Sequence, residues 1–349
     1  MSSNNLNQAY FGHPYGLRNR PFRVEWNPSV NTLQDKAKDV VKNLLQVKNG
    51  HIFFEANTAS LTTQALNVIK PNKVCFGRHE LKWNAKLFTW NAITEEDFTF
   101  PNRFFSDSTL GRPVLNQVSS DFCIEGNCKL AYADIYYTSV ISRLTGERLM
   151  TPEKYQELKQ TYPNLTIMVD CAQTVWALIE DVSQFSDIAL GISSKFIGAN
   201  PHLWFAWISP DMLEKFPELG ELNSIARSDY IVDYAGLVHH GENIRVANEQ
   251  WELADKILEH RKQILTILEN HWLTPIVPAG QPDYFITFTP PCRRYTKQFE
   301  IGMRKKWILL SSTLWKWSFD EWWILPRLRM GVNYETSDAD ILALERALL

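Results

Sequence analysis

Three apolar runs set close together most narrow what this chain can become: Leu165 to Val169, Ile188 to Ile192 and Leu203 to Ile208. Runs of about five apolar residues bounded by polar or turn residues read as buried strands, typical of parallel sheets. The first stops at Asp170, the second at Ser193, Ser194 and Lys195, and the third follows a Gly-Ala-Asn-Pro turn. Each strand then delivers its polar residue at its carboxyl end, where open α/β sheets bind ligands. Lys195 follows Asp170 by 25 residues, enough for one crossover helix between adjacent strands.

The chemistry of such a pair is specific. A lysine at a buried strand end loses solvation, its pKa falls, and its amine becomes a nucleophile. A buried carboxylate nearby needs a cationic partner, which a protonated pyridine ring supplies. A Schiff-base lysine and an aspartate on the pyridinium nitrogen are what proteins contribute to pyridoxal phosphate (PLP) chemistry. An isolated pair of this kind is more often a solvated lysine and a loop aspartate, so the surrounding pattern decides.

Asp170-Cys171-Ala172-Gln173 followed by Ser194-Lys195 resembles the D-x-A-Q … (S/H)-K signature of class V aminotransferase-fold enzymes. That group includes cysteine desulfurases, phosphoserine and serine–pyruvate aminotransferases, kynureninases and isopenicillin N epimerase-like proteins. The resemblance runs from about Asn57 to Ala347. It implies an α/β protein of PLP fold type I, with a mostly parallel seven-stranded sheet in a large domain and a small C-terminal α/β domain. It also implies pyridoxal 5'-phosphate as cofactor, Lys195 and Asp170 as catalytic residues, and Gln173 and Ser194 beside the cofactor. A homodimer with shared active sites follows from the same likeness. The expected division is an arm over 1–30, a cofactor-binding domain over 31–255 and a small domain over 256–349.

Several stretches extend the likeness. Thr32 to Gln46 has helical periodicity, with Gly50 expected to end the helix. After a short strand at His51 to Glu55 comes Asn57-Thr58-Ala59-Ser60, leading into a helix. Free amides at a helix N-terminus bind anions, and the resemblance assigns the cofactor phosphate to Thr58 and the Ala59 backbone. Plain capping by Asn57 or Thr58 uses the same residues. His79, after a strand at Val74 to Phe76, matches the histidine that stacks on the pyridine ring, although Trp83 follows it by four residues where six are usual, which leaves Trp83 or Trp90 as the alternative stacking group. Leu130 to Val140 reads as a strand and runs into Ile141-Ser142-Arg143-Leu144-Thr145-Gly146, similar to V-S-N-V-T-G. Arg143 stands in place of the Asn beside the cofactor's phenolic oxygen. It is always charged and accepts no hydrogen bond, so it suits a phenolate or a substrate carboxylate.

Thr151-Pro152 is a helix start. The stretch from Ser209 to about Glu242 reads as loop-rich, and Asn243 to Trp272 as one long helix. The ending resembles R-x-S/G … Y-N-T-x-x-D-I, whose Arg clamps the substrate α-carboxylate. Registering on Asp340-Ile341 places that role on Arg329, with Arg327 as the fallback, and a bidentate guanidinium suits a carboxylate.

Composition removes other classes. The net charge of -3 gives no basis for a nucleic-acid partner or an anionic membrane surface. Five cysteines without paired C-x-x-C spacing offer no zinc site and read as reduced thiols of a cytoplasmic protein. No apolar stretch reaches the length of a membrane span. Cysteine desulfurases carry a nucleophilic Cys before the terminal Arg strand, and Leu310 to Ile324 contains none. The reading is therefore an aminotransferase acting on an amino acid. The alternatives are a PLP-dependent lyase, epimerase or cyclase, or a catalytically inactive binding homologue.

Overall fold

In the computed structural model of the chain, the structure describes residues 30–56, 58–77, 121–124, 130–142, 146–174, 180–193, 203–224, 231–250, 253–277, 284–289, 299, 302–303, 311–312, 328–332 and 336–349. Seven strands form the main sheet: β1 (His51–Glu55), β2 (Lys73–Phe76), β3 (Asp121–Ile124), β4 (Ile135–Ser139), β5 (Thr166–Asp170), β6 (Ile188–Ile192) and β7 (Trp204–Ile208). Their order is β1-β7-β6-β5-β4-β2-β3. β3, β2, β4, β5 and β6 run parallel, β7 is antiparallel to β6, and β1 is antiparallel to β7. The mostly parallel seven-stranded sheet expected from the sequence is thus present.

The apolar runs are buried on both faces, and alternation divides them into two cores. Ile52, Phe54, Tyr136, Ile167, Val169, Phe205 and Trp207 point one way. They meet Leu33, Ala37, Val40 and Leu44 of α1 (Val30–Leu44) and Tyr234 and Leu237 of α5 (Ile231–Gln250). Phe53, Tyr137, Met168, Leu190 and Ile208 point the other way, onto Leu61, Ala65 and Leu66 of α2 (Thr58–Ile69) and Met212 of α4 (Pro210–Lys215). α3 (Pro152–Thr161) begins as its sequence predicts, with the Lys154 amide donating to the Thr151 hydroxyl and Pro152 in the first turn.

A second, four-stranded sheet has the order β10-β11-β9-β8, from Ser311–Ser312, Leu328–Gly331, Phe285–Thr289 and Thr274–Ile276. Its core joins Ile286, Phe288 and Leu328 to Ile264 and Leu268 of α6 (Leu253–Asn270) and Ile341 and Leu344 of α7 (Asp338–Leu348). Ser337 and Asp340 cap α7 reciprocally in a capping box.

Some local expectations are corrected. α1 ends at Leu44, not at Gly50. Gln46 takes φ 54°, and the Gln46 and Val47 amides donate to the carbonyls of Asn43 and Lys42 at 3.2 and 3.0 Å, a Schellman ending without glycine. Gly50 (φ 102°) serves the entry to β1, where a Cβ would lie 2.4 Å from the Trp207 indole nitrogen. Leu130–Tyr132 is a 3₁₀ turn, so the strand there is only Ile135–Ser139. The stretch after Ser209 is helical in α4 and again from Ile231; helix covers Ile231–Gln250 (α5) and Leu253–Asn270 (α6), and residues 251–252 between them lie outside the described residues. Because β7 runs backwards, Ser209 lies at the opposite edge from Asp170, where its amide donates to the Asp187 carbonyl at 2.9 Å. The described part of the β5–β6 connection holds a turn and a 3₁₀ turn, Val182–Gln184, and no helix.

Candidate active site

The carboxyl ends of β1, β2, β4, β5 and β6 share one edge, and the N-terminus of α2 follows β1 at that edge. Register lines up Ser139 of β4, Asp170 of β5 and Leu190 of β6 there. Beyond β5 the chain stays tied to both neighbours: the Val140 amide donates to the Asp170 carbonyl at 3.1 Å, and the Cys171 amide to the Leu190 carbonyl at 2.7 Å. Asp170 is only 1% exposed, and its Oδ1 accepts the Ala172 amide at 2.8 Å, an Asx turn that fixes the carboxylate's direction. The amide and hydroxyl of Thr174 both donate to the Cys171 carbonyl, at 2.8 and 3.0 Å, and close the turn.

Gln173 lies inside that turn and is 4% exposed. Its Nε2 is buried and donates to no atom of the described chain. Leaving a buried donor unmade costs about 1–3 kcal/mol, so the turn is shaped for an acceptor that the described chain does not supply. The arrangement fits a polar, ring-bearing cofactor: a buried carboxylate, a buried donor and a helix N-terminus on one sheet edge.

The neighbouring pieces are equally local. Ser193 is fully buried; its amide and hydroxyl both donate to the Leu203 carbonyl, at 3.0 and 2.9 Å. This fixes the point where the chain leaves β6, two residues before Lys195. Glu55 ends β1 and was not singled out in the sequence, although a charge closing an apolar strand is the same signal that marks Asp170. Its carboxylate accepts the Ala56 amide at 3.3 Å and the Gln64 side-chain amide. Burial raises its pKa, and those two hydrogen bonds work against the rise.

Beyond β4, residues 141–142 pair back with residues 146–148. Ile141 and Arg148 form a bridge, Ser142 and Gly146 exchange turn contacts with 147 and 142, and Gly146 takes φ 74°. Arg148 makes a bidentate pair with Glu180, with Nη1 to Oε1 at 2.8 Å. Nothing in the local sequence signals this pair, whose partners lie 32 residues apart.

Of the residues singled out in the sequence, the structure brings Asp170, Gln173, Thr58 and the Ala59 backbone to the common edge. Lys195, Ser194, His79, Arg143, Asn57 and Arg327 lie outside the described residues, as do the tryptophans between Trp307 and Trp323. Arg329 is on β11 of the second sheet, its backbone opposite Thr287 and Ser311. Tyr284, just before β9, ties the two sheets together: it is buried in the core of the main sheet, while its carbonyl accepts the Val332 amide at 2.8 Å. Cys171 is buried in the same core, and burial, with Asp170 beside it, pushes its thiol pKa up. Among the described residues there is no cluster of His, Cys, Asp and Glu that could hold a metal ion, and no helix long and apolar enough to cross a membrane.

No protein-family model and no curated protein matches the sequence. Solved structures match across almost its whole length. A cysteine desulfurase from Thermococcus onnurineus has a TM-score of 0.69 at 12% identity, covering 99% of this chain and 90% of that one. A subgroup IV aspartate aminotransferase from Thermus thermophilus has a TM-score of 0.67 at 13% identity, covering 96% of both chains. A mutant of C-DES with glycine covalently linked to its PLP cofactor has a TM-score of 0.67 at 14% identity, covering 95% and 88%. The chain has the fold of these enzymes, the fold type I architecture that the sequence motifs suggested.

Proposed function

We propose that this chain is a PLP-dependent enzyme acting on an amino acid, and that its reaction is transamination. The observation that carries this reading is the buried pair at the end of β5: the Asp170 carboxylate, fixed by the Ala172 amide, and the Gln173 amide, whose donor finds no acceptor in the described chain. The likeness to aminotransferases and to a protein with a PLP-linked glycine supports it.

In this reading Lys195 holds the cofactor covalently, with Ser194 beside it. Asp170 holds a proton on the ring nitrogen, and Gln173 donates to a ring acceptor. Thr58 and the first amides of α2 hold the phosphate, and His79 stacks on the ring. Arg329, or Arg327 two residues before it, grips the substrate carboxylate, and Arg143 serves as a second cation. When bound, the cofactor withdraws electrons from the substrate α-carbon. The chain's own work is to keep the Asp170 carboxylate out of water and fixed in direction, to orient the substrate, and to move a proton at the Lys195 amine. Two copies complete each other's sites, and the protein works in the cytoplasm.

Persulfide chemistry is disfavoured. Leu310 to Ile324 holds no cysteine, and the Cys171 thiol is buried with a raised pKa, so little thiolate is available. Incubating the PLP-loaded protein with single amino acids tests the reading. Transamination converts the cofactor to its pyridoxamine form and releases one oxoacid per site; release of ammonia instead assigns a lyase.

A further inference from the structure

Glu55 is a half-buried acid with no role in the chemistry proposed above. It closes β1 at the edge shared with Asp170, opposite Trp204 of β7. Its side chain lies on the α2 face of the sheet, where the carboxylate accepts the Ala56 amide at 3.3 Å and the Gln64 side-chain amide. α2 begins two residues beyond Ala56, at Thr58. At no more than about 3.6 Å of chain per residue, the carboxylate lies within about 11 Å of the helix start. Both of its donors are neutral, and among the described residues no cation pairs with it. Neither α2, from Thr58 to Ile69, nor β7 carries a charged residue. The 3₁₀ turn Pro217–Glu221, packed on α2, adds only Glu218 and Glu221, both exposed. On the opposite face of the sheet α1 carries Asp35, Lys36, Lys38, Asp39 and Lys42, and Lys38 and Lys42 act on His51 at the other end of β1. Burial raises the Glu55 pKa against the pull of its two hydrogen bonds.

We propose that Glu55 gates the phosphate end of the cofactor site: its charge and the phosphate's exclude each other, so binding at α2 draws a proton from solvent onto the Glu55 carboxyl. The proposal rests on the PLP reading above. A phosphate monoester carries close to two negative charges at neutral pH. The start of a helix favours such charge, and in the cofactor-free chain the Glu55 carboxylate supplies negative charge there instead. Two like charges within about one Debye length, ~10 Å, are only weakly screened when they are partly buried. An acid in an ion pair would keep its charge as the phosphate arrives. An acid whose only partners are neutral donors gives up no ion pair when it takes a proton. The Gln64 amide, which favours the charged form, sets the pH at which this happens.

The test compares wild type with Glu55→Gln and Gln64→Leu. PLP is titrated by fluorescence into each cofactor-free protein across the range from the carboxylate pKa to mildly alkaline pH. Protons taken up per PLP are counted by calorimetry in two buffers of different ionisation enthalpy. Melting of the cofactor-free forms is the folding control, and pyridoxal, which lacks the phosphate, is the control ligand. Glu55→Gln should bind PLP about ten-fold more tightly than wild type at alkaline pH, the equivalent of one unit of pKa displacement. The two should converge as pH falls below the Glu55 pKa, where both side chains are neutral. Wild type should take up more protons per PLP than Glu55→Gln, and pyridoxal should not distinguish them. Gln64→Leu removes a donor to the charged form, so the pH at which PLP affinity falls should move upward; this variant carries the test should Glu55→Gln fail to fold. Superimposable pH profiles for wild type and a folded variant overturn the gate. So does weaker PLP binding by Glu55→Gln at every pH, or a difference that pyridoxal shows equally. A wild-type chain that takes up no PLP removes the functional reading itself, an outcome distinct from PLP binding whose pH dependence the variants leave unmoved.

Discussion

The Asp170 carboxylate accepts the amide of Ala172 at 2.8 Å, so its direction is set by the turn that ends β5. An asparagine can keep that bond through its own carbonyl oxygen while losing the charge. Asp170→Asn should therefore fold and retain much of its PLP, yet lose turnover by orders of magnitude. One pKa unit on the ring nitrogen corresponds to about 1.4 kcal/mol, and a close buried ion pair exceeds one unit. Turnover near wild type in single-turnover kinetics would remove Asp170 from the ring nitrogen.

Gln173 makes the opposite trade. Its buried Nε2 has no acceptor in the described chain, so replacing the amide by an apolar group of similar length removes a penalty of about 1–3 kcal/mol in the cofactor-free state. Gln173→Met should raise the melting temperature of the cofactor-free protein and weaken PLP binding. A variant less stable without cofactor and unchanged in affinity contradicts the assignment.

The sequence made this turn legible because its parts lie within four residues: Asp170, Cys171, Ala172 and Gln173 meet whatever the rest of the chain does. The strands were legible for a related reason. β5 and β6 are buried on both faces, so the apolar run is the strand itself, and its end is the first polar residue. Direction is another matter, since an apolar run carries no arrow, and β7 is reversed by pairing with β1 from far upstream. α5 was hidden because its buried face includes Asp233 and His240 as well as Tyr234 and Leu237, which blurs the helical period. Arg148 and Glu180 meet only once the sheet has assembled.

Asp187 anchors the opposite end of the same strands. Its carboxylate accepts the Tyr155 hydroxyl at 2.7 Å, the Lys159 ammonium at 2.9 Å and the Ile167 amide at 2.7 Å, and it is 2% exposed. Burial, then the Asp187 charge, raises the Tyr155 pKa, so this phenol stays a donor. Removing one partner of a buried pair costs about 3–5 kcal/mol. Denaturant unfolding of Asp187→Ala should show a loss of that order; a loss below about 1 kcal/mol would mean that the network is dispensable.

Acid stability should follow His240. Burial, with His239 beside it, lowers its pKa from 6.5 to about 4. The unfolded chain then binds the proton first, so stability falls as pH drops from about 6.5 toward 4, by about 1.4 kcal/mol per pH unit once the unfolded histidine is protonated. His51, also lowered chiefly by burial, adds to the same window with the same sign. His240→Gln should flatten part of that slope; an unchanged slope between wild type and variant assigns the acid sensitivity elsewhere.

Arg329 stands opposite Thr287 on a strand paired on both sides, a rigid support for a carboxylate anchor. Arg329→Lys should leave the bound cofactor's spectrum intact and weaken amino-acid binding by about 2 kcal/mol. Arg327→Ala should be milder. The reverse order in substrate titrations moves the anchor to Arg327, and indifference to both points to Arg143.

In the proposed function Lys195, two residues beyond the buried Ser193, is the residue that carries the cofactor. Borohydride reduction of the PLP-loaded protein, followed by peptide mapping, tests it most directly. One pyridoxyl group per chain should appear, on Lys195, and none in Lys195→Ala. A label on any other lysine, or equal labelling of Lys195→Ala, contradicts it.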